Sequence, residues 1–455
     1  MNYLKKFSTS SILVVSLAIF SILNPDSGLD ILAFLGIAFI VLQKIFDEYF
    51  ILILLAARPT LDYWRDTHLL SFNLFDLNIN AALSIFLLIW SVYFFIKNKD
   101  HFQKIPLKTV WLLFIAWCSI TALYTYDLTS TIKETMKAAN LFGLFGICYI
   151  MAIKNKLEFK QNFLKAACAA TIIPFLTSIY QFFSKTGMDI DGVANRIYGT
   201  LAHPNILATF ALILTAVLVN EFFFSKKFKE VGILPKLACL LLLGIIALTY
   251  TRIAWIGVAI FFIIIGLIYY KKALVYSLIG IALFFFLFYP FNNYLISTYN
   301  LNLQSIGLVS RLTARNEDSD SVKWRLDVAN KVFPLFTKKP IFGYGYGSFP
   351  KVWDDNKDIS NIWDNTSEAH NDYIKVAFES GIIGLILFLS IFISLLYKQI
   401  SFAVKNNWKN IIFIASIVTY LVMGISDNLL HHTPMIWWLW AVWGWWSAQY
   451  QNTKS

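Results

Sequence analysis

The chain has 455 residues, of which 58% are hydrophobic, 17% aromatic and only 14% charged, well below the roughly 25% charged residues of a soluble globular protein. This balance excludes a water-soluble multidomain protein, a disordered chain and a collagen-like repeat. The net charge of +11 comes from basic residues distributed among short loops, not gathered on the single soluble face that a nucleic-acid partner requires.

In chain order, Lys5 and Lys6 precede an apolar run from Ser11 to Leu23. No small-residue cleavage pattern follows that run, so it reads as a retained first span and not as a secretory signal. Further apolar stretches lie at about 31–46, 49–58, 80–96, 109–125, 138–153, 166–183, 206–224, 237–250, 253–270, 273–291, 381–397, 411–430 and 435–450. This predicts an all-α polytopic membrane protein with fourteen transmembrane helices, twelve being the competing count. Several stretches fall short of the ~20 residues needed to cross a bilayer, and the third, Tyr49 to Arg58, is a candidate re-entrant piece. The expected organisation is a transmembrane body of eleven spans over 1–291, a large outer loop containing short helices over 292–380, and three spans with a cytoplasmic C-terminus over 381–455. Cys118, Cys148, Cys168 and Cys239 all lie in apolar stretches without a CxxC pair, which points to neither a disulfide framework nor a zinc site.

Lys and Arg are retained on the cytoplasmic side of short loops. With fourteen alternating spans and the N-terminus inside, 21 basic residues fall in inner segments and 7 in short outer loops, while 10 lie in the long outer segment. All seven arginines, Arg58, Arg65, Arg196, Arg252, Arg311, Arg315 and Arg325, fall on the outer side, whereas the inner loops use lysine alone. Guanidinium differs from ammonium by its rigid fork of donors, which grips phosphate or carboxylate in bidentate fashion. The sorting therefore predicts an outward-facing site for a phosphorylated or otherwise anionic substrate.

Four segments carry candidate chemistry. In the first, Arg196 and His203 precede Pro204-Asn205, a helix start whose free N–H groups favour an anion; an ordinary cap is the alternative. In the second, Arg252 stands alone between two apolar runs in Thr249-Tyr250-Thr251-Arg252-Ile253. Charge at such a position is costly unless partnered, which marks a functional candidate against simple snorkelling to the headgroups.

The third pairs Trp324-Arg325-Leu326-Asp327, on a helix predicted from about Ser321 to Phe336, with the alternating glycines Gly343, Gly345 and Gly347. The glycines suit a tight turn that approaches a ligand or a neighbouring helix closely; the βαβ context of a dinucleotide site is missing. Arg325 is either a phosphate ligand or a solvated neighbour of Asp327. The fourth is Glu368-Ala369-His370-Asn371-Asp372-Tyr373 followed by Glu379, Gly381 and Gly384, with a helix predicted to start near Ser367. A neutral His370 can take a proton from an acceptor hydroxyl as general base, with Glu368, Asp372 and Glu379 as possible orienters. His431, His432 and the Trp437–Trp446 run read as interfacial.

These segments in this order resemble the O-antigen ligase and O-antigen polymerase family, over roughly Arg196 to Gly384 together with the many-span architecture. The sequence departs from the family pattern at Tyr250-Thr251, where Ser-rich sequence is common, and at Ile253, where Gly is common. The resemblance implies a membrane glycosyltransferase of the bacterial inner membrane, without metal or other cofactor, whose active site faces the periplasm and whose donor is a glycan on undecaprenyl pyrophosphate. It implies donor-pyrophosphate binding by Arg196, Arg252 and Arg325 and activation of the acceptor by His370, with supporting roles for His203, Asn371, Tyr373 and Glu379. The expected partners are the lipid-linked glycan, an acceptor glycolipid (lipid A core) or glycan, and membrane lipids, with no nucleic acid. A lipid pyrophosphate is already a good leaving group. The residues therefore need only supply fixed positive charge at the pyrophosphate and one base at the attacking oxygen, consistent with direct displacement and inversion. Polymerase action, transfer to protein hydroxyls and, outside the class, transport of lipid-linked sugars are the competing readings.

Overall fold

The structure, a computed structural model, describes residues 36–37, 40–41, 47–72, 75–190, 193–223, 232–272, 275, 321–356 and 368–451. The spans expected at 10–23 and 273–291, nearly all of that at 31–46, and Arg311 and Arg315 lie outside them. The described residues are overwhelmingly helical: α1 (Phe50–Leu61), α2 (Ile79–Lys97), α3 (Lys108–Thr121), α4 (Leu128–Lys154), α5 (Lys156–Ser184), α6 (Pro204–Leu218), α7 (Ile233–Leu248), α8 (Arg252–Tyr269), α9 (Ser321–Phe336), α10 (Phe349–Asn356), α11 (Asp372–Lys405), α12 (Ile411–Met423) and α13 (Thr433–Gln449). Two short antiparallel hairpins, β1 (His68–Phe72) with β2 (Phe75–Asn78) and β3 (Met188–Ile190) with β4 (Val193–Arg196), sit in the connections. Six of the described helices are long and apolar enough to cross a bilayer, and α3, α7 and α12 are shorter apolar helices. The protein is an all-α polytopic membrane protein.

Polar contacts define the two ends of the helix array. At one end Lys97 and Lys154 both meet Glu48, Lys160 meets Glu221, and Tyr450 donates to Asn220. At the other, Arg58 pairs with Asp62 and reaches Thr433, Asp62 accepts from the Ala202 amide, and Asn205 donates to Asp427. The third apolar stretch connects the two. Glu48 precedes α1 and Asp62 follows it; twelve α-helical residues supply about 18 Å, and each flanking 3₁₀ turn adds about 6 Å. The candidate re-entrant piece therefore runs from end to end.

The centre of the array is α4 against α13. Helices in lipid gain little from the hydrophobic effect between themselves and associate where small residues let backbones approach. Gly444 supplies that approach: a Cβ there would lie 2.2 Å from the Phe145 carbonyl oxygen. Gly143 plays the same part toward α2, where a Cβ would meet Ser91 Oγ at 2.3 Å. Trp437, Trp438, Trp440, Trp443, Trp445 and Trp446 are all buried, which corrects their reading as an interfacial belt. A belt gathers at the two ends of a span, whereas these indoles run along all of α13 and are absorbed by neighbouring helices. Trp438 donates to the Leu55 carbonyl and Trp443 to Ser416.

The helix expected from Ser321 to Phe336 is α9. The one expected near Ser367 begins at Asp372, because Asn371 caps it by accepting from the Tyr373 and Ile374 amides. Gly381 interrupts α11 with φ 67° and ψ −173°. The break frees the Phe378 and Glu379 carbonyls to accept from Tyr344 N and Gly345 N, while Ile382 N donates to Pro340 O. Gly343, Gly345 and Gly347 all have positive φ, and the turn they form lies against α11 and the loop between α3 and α4. It is the close backbone approach expected of those glycines, made to neighbouring helices. Val328 and Val332 of α9, Phe349 and Trp353 of α10, Ala369 just before α11 and Phe378 on it form a second small core that fixes this outer unit over the start of α11.

A candidate active site at one end of the array

Four connections converge at the end of the array that holds the arginines: the β3–β4 hairpin with the start of α6, the α7–α8 junction, the segment before α11, and the α12–α13 loop. Arg252 is the first residue of α8 and is partly accessible. Among the described residues its guanidinium has no hydrogen-bond or ion-pair partner, unlike Arg58 on Asp62 or Arg65 on Asp66. The α8 start is not capped by the Thr251 side chain, which instead donates to Asn205. First-turn N–H groups and a guanidinium therefore share one place, an arrangement that suits an anion.

Arg196 lies beneath it. Its side chain is buried at 1% exposure and donates to the Thr249 carbonyl at 2.9 Å, to Asn205 Oδ1 at 3.1 Å and to Thr251 Oγ1 at 3.2 Å. It therefore braces the turn that presents Arg252. His203 caps α6, its Nδ1 accepting from the Asn205 amide.

Asn205 continues the chain of contacts, its amide donating to Asp427 at 3.1 Å. Asp427 is buried and gathers two histidines at one oxygen: His432 Nε2 at 3.4 Å and His370 Nδ1 at 4.0 Å. Burial pushes the Asp427 carboxyl up, but the hydrogen bond and charge of His432, the charge of His370 and the Asn428 amide outweigh it and hold the group below the ordinary carboxylate range. A permanent carboxylate 4.0 Å from His370 Nδ1 would stabilise the imidazolium that this ring becomes on taking a proton. His370 itself has φ 45°, a left-handed conformation unusual for a non-glycine residue and found where surrounding structure fixes a functional group.

The expected orienters of His370 are engaged elsewhere. Glu379 is buried, its side chain accepting from the Phe349 amide and its carbonyl from Gly345, so it anchors the glycine turn. Asp372 accepts from Leu430 N and Tyr420, joining α11 to the α12–α13 loop. Glu368 pairs with Lys375 at 2.7 Å and lies 3.7 Å from His431. Asn371 donates to the Ile425 carbonyl and Tyr373 to Leu421, both holding the His370 segment in place. Arg325 lies one turn before Val328 on α9, whose Val328 and Val332 share the small core with Ala369, next to His370.

Asp427 and His432 are the residues the sequence reading missed. Asp427 fell inside the expected 411–430 span, but α12 ends at Met423. An acid inside an apparent span is itself a functional signal, and that signal was present. His431 and His432, taken as interfacial, belong to the polar cluster.

A family model described as O-antigen ligase matches residues 237–389, which contain the α7–α8 junction, the outer unit and the His370 segment. This segment of the chain is similar to the O-antigen ligase family. Two relatives are named "putative polysaccharide ligase": one from Rickettsia conorii is 27% identical over 358 residues, 75% of this chain and 79% of the relative, and one from Rickettsia felis is 24% identical over 350 residues, with the same two shares. A third, from Rickettsia typhi, is 25% identical over 337 residues, 72% of this chain and 76% of its own length. Alongside this similarity, the membrane body carries an anion-ready arginine beside a histidine–carboxylate cluster, a coherent enzyme site.

Proposed function

We propose that this protein is a metal-independent, inverting membrane glycosyltransferase of the bacterial inner membrane. In this reading it moves a glycan from undecaprenyl pyrophosphate to an acceptor hydroxyl on the periplasmic side, acting as an O-antigen ligase with the lipid A core as acceptor. The observation that carries the proposal is Arg252 at the start of α8, without a polar partner among the described residues and linked through Thr251, Asn205 and Asp427 to His370.

Arg252, with Arg325 from the outer unit, holds the pyrophosphate, where fixed positive charge stabilises the negative charge that builds as the sugar leaves. His370 takes the proton of the acceptor hydroxyl while Asp427 stabilises the resulting imidazolium. The acceptor oxygen attacks the anomeric carbon from the side opposite the leaving group. The new glycosidic bond forms, the bond to the pyrophosphate oxygen breaks, and the proton passes from His370 to solvent. Arg196 and His203 position Arg252 and α6, Asn371 and Tyr373 position His370, and Glu379 fixes the outer unit.

The test is transfer by purified protein in liposomes with lipid-linked donor and acceptor. Covalent transfer that His370→Ala abolishes, with the variant still present in the membrane, supports the reading. Full transfer by that variant removes His370 from the mechanism, and movement of the donor across the bilayer without a new bond makes the protein a transporter. In cells, deletion should leave full-length chains stranded on the lipid carrier; single repeat units on the core would instead identify a polymerase.

A further inference from the structure

Beside the Asp427 cluster lies a cavity of about 560 Å³, within the roughly 300–1,000 Å³ of small-molecule sites. Its walls come from α2, α4, the start of α6, the turn after α1 and the α12–α13 loop. Its charge is one-sided. Lys133 and Lys137, four residues apart on α4 and so on one helical face, line it together with Arg65, which also contacts the exposed Asp66 at 3.4 Å. The one carboxylate in its lining, Asp62, is neutralised by Arg58 at 3.1 Å. Lys137 is balanced by Glu134 at 2.6 Å, but Lys133 is exposed and makes no hydrogen bond or ion pair among the described residues.

The cavity is separate from the place where Arg252 stands. Ala202 and Ile206 at the start of α6 face the cavity, whereas Asn205 contacts Arg196 and Thr251 on the way to Arg252. Between the two lies the histidine pair on Asp427, and His432 is itself part of the cavity lining. An anion site on each side of the histidine–carboxylate cluster that includes His370 suits a transfer between two charged substrates, because each can be held by its own counter-charge with the reacting hydroxyl between them.

We infer that this cavity is the acceptor subsite and that it recognises an acceptor whose glycan carries phosphate groups, through Lys133 and Arg65. The inference rests on the transferase reading above and adds to it the chemistry of the second substrate. Phosphate could also arrive on the donor carrier or on a membrane phospholipid, and the test separates the three sources.

The test is initial-rate transfer by the full chain in liposomes, for the parent, Lys133→Glu and Arg65→Ala. The acceptor is lipid A core bearing its phosphates, or the same material after phosphatase treatment. The expected result is a KM for the phosphorylated acceptor raised at least tenfold in each variant, with donor KM and the rate at saturating acceptor unchanged, and no difference between parent and variants on the dephosphorylated acceptor. An unchanged acceptor KM, or an equal loss on both acceptors, overturns the inference. A shift in donor KM assigns the cavity to the carrier pyrophosphate and overturns it too. So does an effect that follows the anionic phospholipid content of the vesicle and not acceptor phosphorylation. Absence of transfer by the parent on either acceptor refutes the transferase reading itself, and is thereby distinguishable from failure of the acceptor assignment.

Discussion

The side-chain amide of Asn205 donates to the carboxylate of Asp427 across 3.1 Å, joining residues 222 positions apart. That bond couples the half of the site that presents arginine to the half that presents histidine. Asn205→Ala leaves a buried acceptor with one donor fewer, a cost of roughly 1–3 kcal/mol. If that loss falls on the transition state, kcat/KM for transfer should drop about 10- to 100-fold. Asn205→Asp, which sets a second carboxylate against Asp427, should do worse than alanine; parity between the two variants would show that the bond does not tune the site.

Arg252 should tolerate no replacement. Loss of one preorganised donor at a developing anion costs roughly 3–4 kcal/mol, or about 10²- to 10³-fold in rate. Arg252→Ala should reach that range with membrane levels unchanged, and Arg252→Lys should recover little of it because an ammonium cannot reproduce the fork. Full rescue by lysine would reduce the role of Arg252 to bulk charge.

A pH dependence of stability follows from His431. The charge of Lys137, with partial desolvation of a ring whose side chain is still 49% exposed, pushes its pKa down to about 4, against about 6.5 in an unfolded chain. Between those values the unfolded chain binds the extra proton, so the contribution of this residue to stability falls as pH drops from about 6.5 toward 4. His431→Gln should therefore lose less thermal stability than the parent between pH 7 and pH 5 in detergent. Identical losses in the two proteins would remove His431 as the source.

Gly345 is a tight point in the docking of the outer unit. Its φ is 108°, and a Cβ would fall 2.1 Å from Thr125 Oγ1. Gly345→Ala should cost about 1–3 kcal/mol of local stability through backbone strain alone, with the clash in addition. Limited proteolysis should then cut between α9 and α10 faster than in the parent, whereas an unchanged digestion pattern would mean the turn is not what holds the unit down.

Orientation is testable at accessible positions on the two ends of the array. With the native cysteines replaced by serine, Leu123→Cys, 87% exposed after α3, should react with an impermeant maleimide in intact spheroplasts, and Leu157→Cys, 68% exposed at the start of α5, only after permeabilisation. The reverse pattern would turn the Arg252 end toward the cytosol and remove the periplasmic placement of the site.

The helices were legible where apolar length and a cap coincide. The charges Lys154 and Lys156 mark the α4–α5 junction, and Asn155 caps α5. The extra length of α4, from Leu128, was hidden by Lys133 and Lys137, polar residues that a window of hydropathy reads as loop. His370 and Arg252 could be picked out because a lone ionisable group at a span edge is unusual. The role of Arg196 could not, since whether a guanidinium faces a ligand or a carbonyl depends on a neighbour 53 positions away, here Thr249. The partnership of Asp427 with His370 is likewise a tertiary fact, created when the loop after α12 folds back over the start of α11.

The burial of six tryptophans along α13 has an optical consequence. Of the fifteen in the chain, these six sit at 1% exposure or less, screened from acyl chains by α4, α6 and α12. Much of the ultraviolet emission should accordingly be short in wavelength and resist quenching by brominated lipids, so that a red shift or new quenching would report the helices of the array coming apart well before the chain leaves the bilayer.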